Sequence, residues 1–164
     1  MSLVATRFAP SPTGPLHIGG VRTALFNWLF SKNNKGKFYL RIEDTDKDRS
    51  KDEFKNQIIE SLKWIGVEYD GQEFIQSKNI NKHKEIANNL LKKGFAYNCY
   101  CSEKEIEEQK TKAKKAKMPF IYNRKWRDAI NLEVPNGEKP VIRFKSKMNG
   151  NSIIKDLVQG EINI

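Results

Sequence analysis

The stretch from Pro10 to Gly20, PSPTGPLHIGG, sets three prolines and three glycines around one histidine. A short apolar run precedes it and a helical pattern follows, which outlines an anion site: free amides at a helix start and the helix dipole both favour an incoming phosphate. Two common versions of such a site do not fit. The phosphate-loop pattern needs Gly, four residues, then Gly-Lys-Ser/Thr, and although Gly14 and Gly19 have that spacing, Gly20 and Val21 follow. The Gly-x-Gly-x-x-Gly pattern of dinucleotide sites is absent from this turn. An arrangement remains in which His17 itself faces the nucleotide. Two other clusters invite a metal. Asp44, Asp46 and Asp48 alternate like the start of a calcium loop, but its sixth position would be Arg49 and its twelfth Lys55, where Gly and Glu are required. These acids read instead as helix-start chemistry ahead of Lys51 and as partners for Lys47 and Arg49. Cys99 and Cys101 are the only cysteines, and the single residue between them leaves little room for an unstrained disulfide.

Elements must position these groups. Val4 to Phe8 reads as a buried strand halted by Pro10, and Met1–Leu3 as a leader ahead of it. Val21, Leu25, Phe26, Leu29 and Phe30 fall at helical spacing, so a helix begins near Ile18. Asn33 to Gly36 supplies turn chemistry, and KFYLRI, Lys37 to Ile42, is a second strand. Strand, helix, strand in this span is a βαβ unit with parallel pairing. Lys51 to Ile65 is a second helix, with Phe54, Ile58, Leu62 and Ile65 on its core face. A third runs from about Asn81 to Lys93, presents Ile86, Ala87, Leu90 and Leu91, and stops at Gly94. Phe95 to Tyr100 is a strand, and Ser102 with Glu105 forms a capping box that opens a helix with an acidic first turn and a basic end, KTKAKKAK. Val141 to Lys145 and Ile162 to Ile164 complete the strands.

The 164 residues suit one compact domain with a core. No apolar run approaches the ~20 residues that span a bilayer, and the N-terminus lacks a secretory pattern, so a cytoplasmic protein with no membrane partner is expected. Thirty Lys and Arg against twenty Asp and Glu give a formal charge of +10. That surplus suits a polyanion, though a lysine-rich solvated surface has the same composition.

The segments TRFAPSPTGPLHIGGVRTALFNWLF and FYLRIEDTD, followed in order by SLKWIGVEYD, LLKKGFAYNCYCS, YNRKWRD and DLVQGEINI, resemble bacterial glutamyl-tRNA synthetases over essentially the whole chain. The resemblance implies a class I aminoacyl-tRNA synthetase. The expected fold is α/β: the first, parallel-sheet half of a Rossmann-like nucleotide-binding domain over residues 1–71, then an inserted α+β acceptor-end-binding region over 72–140. Return strands toward the catalytic domain would occupy 141–164. His17-Ile18-Gly19-Gly20 stands where the class carries His-Ile-Gly-His. The implied reaction is attack of glutamate's carboxylate on the α-phosphorus of ATP, followed by transfer to tRNA(Glu), with tRNA(Gln) left open as a second acceptor. ATP would bring Mg²⁺ with it, and the protein is expected to be monomeric.

Residue by residue, the resemblance gives His17, Gly19 and Gly20 catalytic roles, His17 donating to ATP phosphate or ribose and the glycines letting backbone approach. Pro10, Thr13 and Gly14 join them around ATP. Arg7 matches the arginine that reads the substrate's side-chain carboxylate, a task suited to its two-pronged guanidinium, and Glu43 matches the carboxylate that receives the ammonium. Ala9 and Ser11 complete the amino-acid set. Ala9 to Gly14 differs from the PPEPNG of glutaminyl enzymes, which favours glutamate. For tRNA, Arg49, Lys114, Lys115, Arg124 and Arg127 are candidate contacts, although the lysines also suit a solvated helix end.

Cys99-Tyr100-Cys101 matches half of a zinc site present in some members, whose other half is Cys-x-His. Trp126 and Asp128 stand at those positions here, and structural zinc wants four ligands, so no zinc is expected. The Lys-Met-Ser-Lys-Ser-type loop of the class is also absent. The chain therefore reads as an N-terminal portion that would not activate glutamate efficiently alone. Two rival readings stay open: the paralogue that attaches glutamate to queuosine in tRNA(Asp), and a non-catalytic RNA-binding module.

Overall fold

The computed structural model describes residues 4–130, 132–135, 137 and 139–164, and Met1–Leu3 lie outside them. Two compact units divide at His83 and Lys84. In the first, β1 (Ala5–Phe8), α1 (Ile18–Asn33), β2 (Lys37–Ile42), α2 (Asp52–Trp64) and β3 (Phe74–Ile75) succeed one another, followed by a 3-10 turn, Gln76–Asn79. β2 lies between β1 and β3, both parallel to it, with Arg7 opposite Tyr39 and Arg41 opposite Phe74. The alternation in β2 decides which face is core. Phe38, Leu40 and Ile42 are buried with Phe8, Ala24 of α1, Ile58 and Leu62 of α2, and Val67. Both helices thus cover one face of the sheet and leave Tyr39 and Arg41 on the other.

This one-sided cover decides what three elements bury. β1 is not a buried strand: it is an edge of this sheet, and only Phe8 is buried while Ala5 and Arg7 are exposed. α1 forms as expected, but its buried residues are Ala24 and Ser31, whereas Leu25, Phe26, Leu29 and Phe30 are exposed. In α2, Ile58 and Leu62 are fully buried as the spacing implies, and Phe54 and Ile65 are half-buried.

The alternate acids also act otherwise than expected. None caps α2, whose N-cap Lys51 makes no side-chain cap bond. Asp46 accepts from the Arg49 amide at 3.1 Å and from its Nε at 2.7 Å, in line with the expected partnership, but among the described residues no ion pair joins these acids to Lys47. Asp44 accepts from the Ser77 amide at 2.8 Å and its hydroxyl at 2.5 Å, fastening the turn after β3 to the end of β2. Its partner lies in an element the spacing did not reveal, since a two-residue strand carries no periodicity.

α3 (Ile80–Lys92) spans the division between the units. It ends as expected at Gly94, whose φ of 75° suits a residue without Cβ; the Phe95 amide reaches back to the Leu90 carbonyl at 2.9 Å. In the second unit, β4 (Ala96–Cys99) pairs antiparallel with β5 (Val141–Phe144), so residues 141–144 share a sheet with residues 96–99. α4 (Glu103–Lys115) opens with the Ser102–Glu105 capping box. β6 (Ile153–Asp156) and β7 (Gly160–Asn163) form a hairpin in place of a lone strand at 162–164. Its turn is set by Asp156, whose Oδ1 accepts the amides of Val158 at 2.8 Å and Gln159 at 2.7 Å.

Candidate active site

The loop between β1 and α1 is tied down at three points. The Pro10 carbonyl accepts the Glu43 amide at 2.9 Å, the Pro12 carbonyl accepts the Lys51 amide at 3.0 Å, and the Leu16 amide donates to Gln57 Oε1 at 3.0 Å. Pro12 is fully buried, so the chain folds over it while Ser11, Pro15 and His17 stay exposed. His17 is the N-cap of α1, and its Nδ1 accepts the Gly19 amide at 3.1 Å. A Cβ at Gly19 would lie 2.9 Å from His17 Cε1, and one at Gly20 would lie 2.7 Å from Leu16 Cδ1. Both glycines therefore have a reason internal to the chain: one makes room for the histidine ring, the other for Leu16. A Cβ at Gly14 would meet nothing within 4 Å.

Arg41, a residue the sequence reading passed over, shares a cavity with Arg7 and an ion pair with Glu43. Arg7 lines a cavity of about 400 Å³ on the open face of the sheet, with Tyr39, Arg41, Phe74, Gln76 and His83 among its walls. Tyr39 and Phe74 meet edge to face, ring centres 6.0 Å apart. Arg41 Nη2 pairs with Glu43 Oε1, while the Arg41 Nε is buried with no partner. The signal was present in KFYLRI: once Phe38, Leu40 and Ile42 are assigned to the core, Tyr39 and Arg41 must face the other way.

In the second unit, Cys99 is buried and Cys101 half-buried, and both are free thiols. The Tyr122 hydroxyl lies 3.0 Å from Cys99 Sγ and 3.3 Å from Cys101 Sγ. The Arg143 guanidinium stacks 4.1 Å from the Tyr122 ring centre. Burial, then the two sulfurs, pushes the Tyr122 hydroxyl far above its ordinary range. Burial also pushes the Cys101 thiol up, while at Cys99 burial is outweighed by hydrogen bonds from Tyr122, the Cys101 backbone and Arg143, so its thiol is lowered. Trp126 packs into this core, its ring 5.0 Å from that of Tyr100. Asp128 pairs with Lys145 Nζ at 2.8 Å. Among the described residues, no group of three His, Cys, Asp or Glu is placed to hold a metal.

The five candidate tRNA contacts differ in freedom. Lys114 and Lys115 lie in the last turn of α4, exposed. Arg49 is exposed but engaged by Asp46. Arg124 sits at φ 59°, and Arg127 spends one Nη2 on the Ser146 carbonyl at 2.8 Å with its side chain 16% exposed.

The model of the class I tRNA synthetase (E and Q) catalytic domain matches residues 3–164. The chain belongs to that family. It is 66% identical over all its 164 residues to a glutamate–tRNA ligase of Pelagibacter ubique, covering 35% of that protein. It is 51% identical over 162 residues to glutamate–tRNA ligase 2 of Rickettsia felis, again 35% of its length. Among solved structures, the glutamate–tRNA ligase of Elizabethkingia meningosepticum in complex with its amino acid matches with TM-score 0.81 and 33% identity, over 99% of this chain and 36% of that one. The glutamate–tRNA synthetase of Elizabethkingia anophelis matches with TM-score 0.82 and 33% identity, over 99% and 37%. The chain thus spans about a third of the length of the relatives it matches. Membership in this synthetase family fits the parallel sheet carrying helices and the Rossmann-like reading of the first unit. No helix among the described residues is long and apolar enough to cross a membrane.

Proposed function

We propose that the chain supplies the amino-acid and nucleotide wall of a glutamate–tRNA ligase. The observation that supports this is that Arg7 and Arg41 line one cavity, Arg41 pairs with Glu43 and the Glu43 amide donates to the Pro10 carbonyl, within a chain whose relatives are glutamate–tRNA ligases. Arg7 grips the side-chain carboxylate of L-glutamate and Glu43 takes its ammonium, with Ala9 and Ser11 bounding the amino acid between them. Its α-carboxylate attacks the α-phosphorus of ATP, the bond to the β-phosphate oxygen breaks, and pyrophosphate leaves. The glutamyl group then passes to the 3'-terminal adenosine of tRNA(Glu), releasing AMP.

His17 serves ATP in a fixed sense. Because Nδ1 accepts the Gly19 amide, the ring proton of the neutral imidazole sits on Nε2, which becomes a donor toward phosphate or ribose oxygen. The amides at the start of α1 add their dipole, and Pro10, Thr13 and Gly14 shape the approach. ATP enters as its magnesium complex, the ion held by the phosphates; no protein-bound zinc takes part. Arg49, Lys114, Lys115, Arg124 and Arg127 are proposed contacts for tRNA phosphates, and the parent enzyme is proposed to act as a cytoplasmic monomer. The lysine loop that grips the phosphates from the far side is not in these residues, so pyrophosphate exchange by the chain alone is expected to be far below that of a complete ligase.

Binding tests this reading without requiring turnover. Calorimetry with the sulfamoyl analogue of glutamyl-adenylate should show saturable binding, and the glutaminyl analogue should bind at least tenfold more weakly. RNA binding with no affinity for either analogue would replace it with the RNA-module reading.

A further inference from the structure

The cavity that holds Arg7 also contains a second guanidinium with an unspent donor. Arg41 stands on the central strand of the sheet, where its Nη2 holds Glu43, its Nε is buried without a partner, and its side chain lines the same cavity as Arg7. A buried N–H lacking an acceptor is costly to leave so, and the acceptor that best suits a guanidinium is a planar pair of oxygens. Glu43 follows the end of β2 directly, two residues beyond Arg41, and the two side chains are paired. That places one positive and one negative group side by side, the mirror of an amino acid's α-carboxylate and α-ammonium on a single carbon.

We propose that Arg41 binds the α-carboxylate of the amino-acid substrate, next to Glu43, which takes the ammonium. The inference rests on the amino-acid-binding roles given to Arg7 and Glu43 above. Its physical content is charge matching. Glutamate carries two carboxylates and one ammonium; within these residues Arg7, Arg41 and Glu43 offer two guanidiniums and one carboxylate, an opposite for each substrate charge. With the substrate absent, Arg41 keeps the Glu43 carboxylate paired and oriented. When it arrives, the ammonium shares Glu43, and the Nε–H and the loosened Nη2–H of Arg41 turn to the α-carboxylate, fixing the nucleophile that attacks ATP.

Arginine Nε–H resonances of the isotopically labelled 164-residue chain test this directly during titration with L-glutamate and with L-isoglutamine, which keeps the side-chain carboxylate but carries an α-carboxamide. Arg7 should respond to both ligands and Arg41 to glutamate alone. Arg41→Met should weaken glutamate binding about tenfold and bring the two ligands within about twofold of each other, while Arg41→Lys should recover part of the preference. If the Arg7 resonance moves and Arg41's does not, or if Arg41→Met still prefers glutamate, Arg41 is overturned and the roles of Arg7 and Glu43 stand. If neither arginine responds, both fail. The wild-type resonances decide even where a variant does not fold.

Discussion

The Nδ1 of His17 accepts the Gly19 amide across 3.1 Å, and a Cβ on residue 19 would stand 2.9 Å from the ring's Cε1, close enough that the ring would have to shift. The histidine is therefore held by the helix it caps, with Nε2 left for a ligand. Gly19→Ala should displace the ring. Alanine favours a helix over glycine by up to ~1 kcal/mol, which offsets the lost cap, so the thermal midpoint should stay within a few degrees. Affinity for an adenylate analogue should fall at least tenfold. Unchanged affinity would detach His17 from the nucleotide.

Gly36→Ala should behave in the opposite way. A Cβ there would lie 2.3 Å from the Val4 carbonyl oxygen, which already accepts the Lys37 amide at 2.8 Å and begins the β1–β2 pairing. Backbone cannot yield as a side-chain tip can, and a loss of about 2–4 kcal/mol is expected in denaturant unfolding. A loss below about 1 kcal/mol would contradict this account of the turn.

Acid should weaken the first unit through Asp70. The hydrogen bond and charge of Lys37, with the Phe38 amide, hold its carboxyl below the usual range. A depressed folded value means stability fully present above the unfolded pKa of about 3.9 and lost as pH falls through the folded value. Asp44 acts in the same direction: burial would raise it, but the Ser77 hydroxyl and amide prevail. Thermal midpoints followed from about pH 6 to pH 2 should fall below about pH 4, and Asp70→Asn should remove part of that fall. A variant with the wild-type profile would show that the pair contributes nothing.

Purified chain should contain well under one zinc per molecule by elemental analysis, because Trp126 fills hydrophobic space beside Cys99 and Asp128 is paired with Lys145. Tyr122→Phe, which removes the hydroxyl between the sulfurs, should cost about 1 kcal/mol. Stoichiometric zinc would contradict the first expectation, and an undiminished stability the second.

Among the basic residues, Lys114→Ala and Lys115→Ala should each lower the salt slope of RNA binding by about one while leaving folding intact. Arg127→Ala should show first as a loss of stability, since its guanidinium is committed to the Ser146 carbonyl. A large fall in RNA affinity for Arg127→Ala at wild-type stability would reverse that assignment.

What the sequence made legible was whatever rests on local rules. The start of α1 at Ile18, the strand KFYLRI, the Ser102 capping box and the stop at Gly94 each follow from a few adjacent residues. The rest depends on partners far along the chain. β3 is two residues long and is defined by its pairing with Arg41 and Ile42, and Asp44 finds Ser77 just beyond it. The apolar residues of α1 gave the right helix but not its buried side, because periodicity does not say which face a sheet will cover. Within the site, Arg7 and Glu43 were readable by resemblance. Arg41, which pairs with Glu43 and lines the cavity that Arg7 also lines, was hidden by lying in an unremarkable strand.

Whether this chain reads an acidic amino acid joined to adenylate is decided by calorimetry of the glutamyl-sulfamoyl-adenosine analogue against wild type, Arg7→Ala and Glu43→Gln. Wild type should bind saturably, and each variant should bind at least tenfold more weakly with its thermal midpoint preserved. Equal binding by all three proteins, or none by wild type, would contradict that reading.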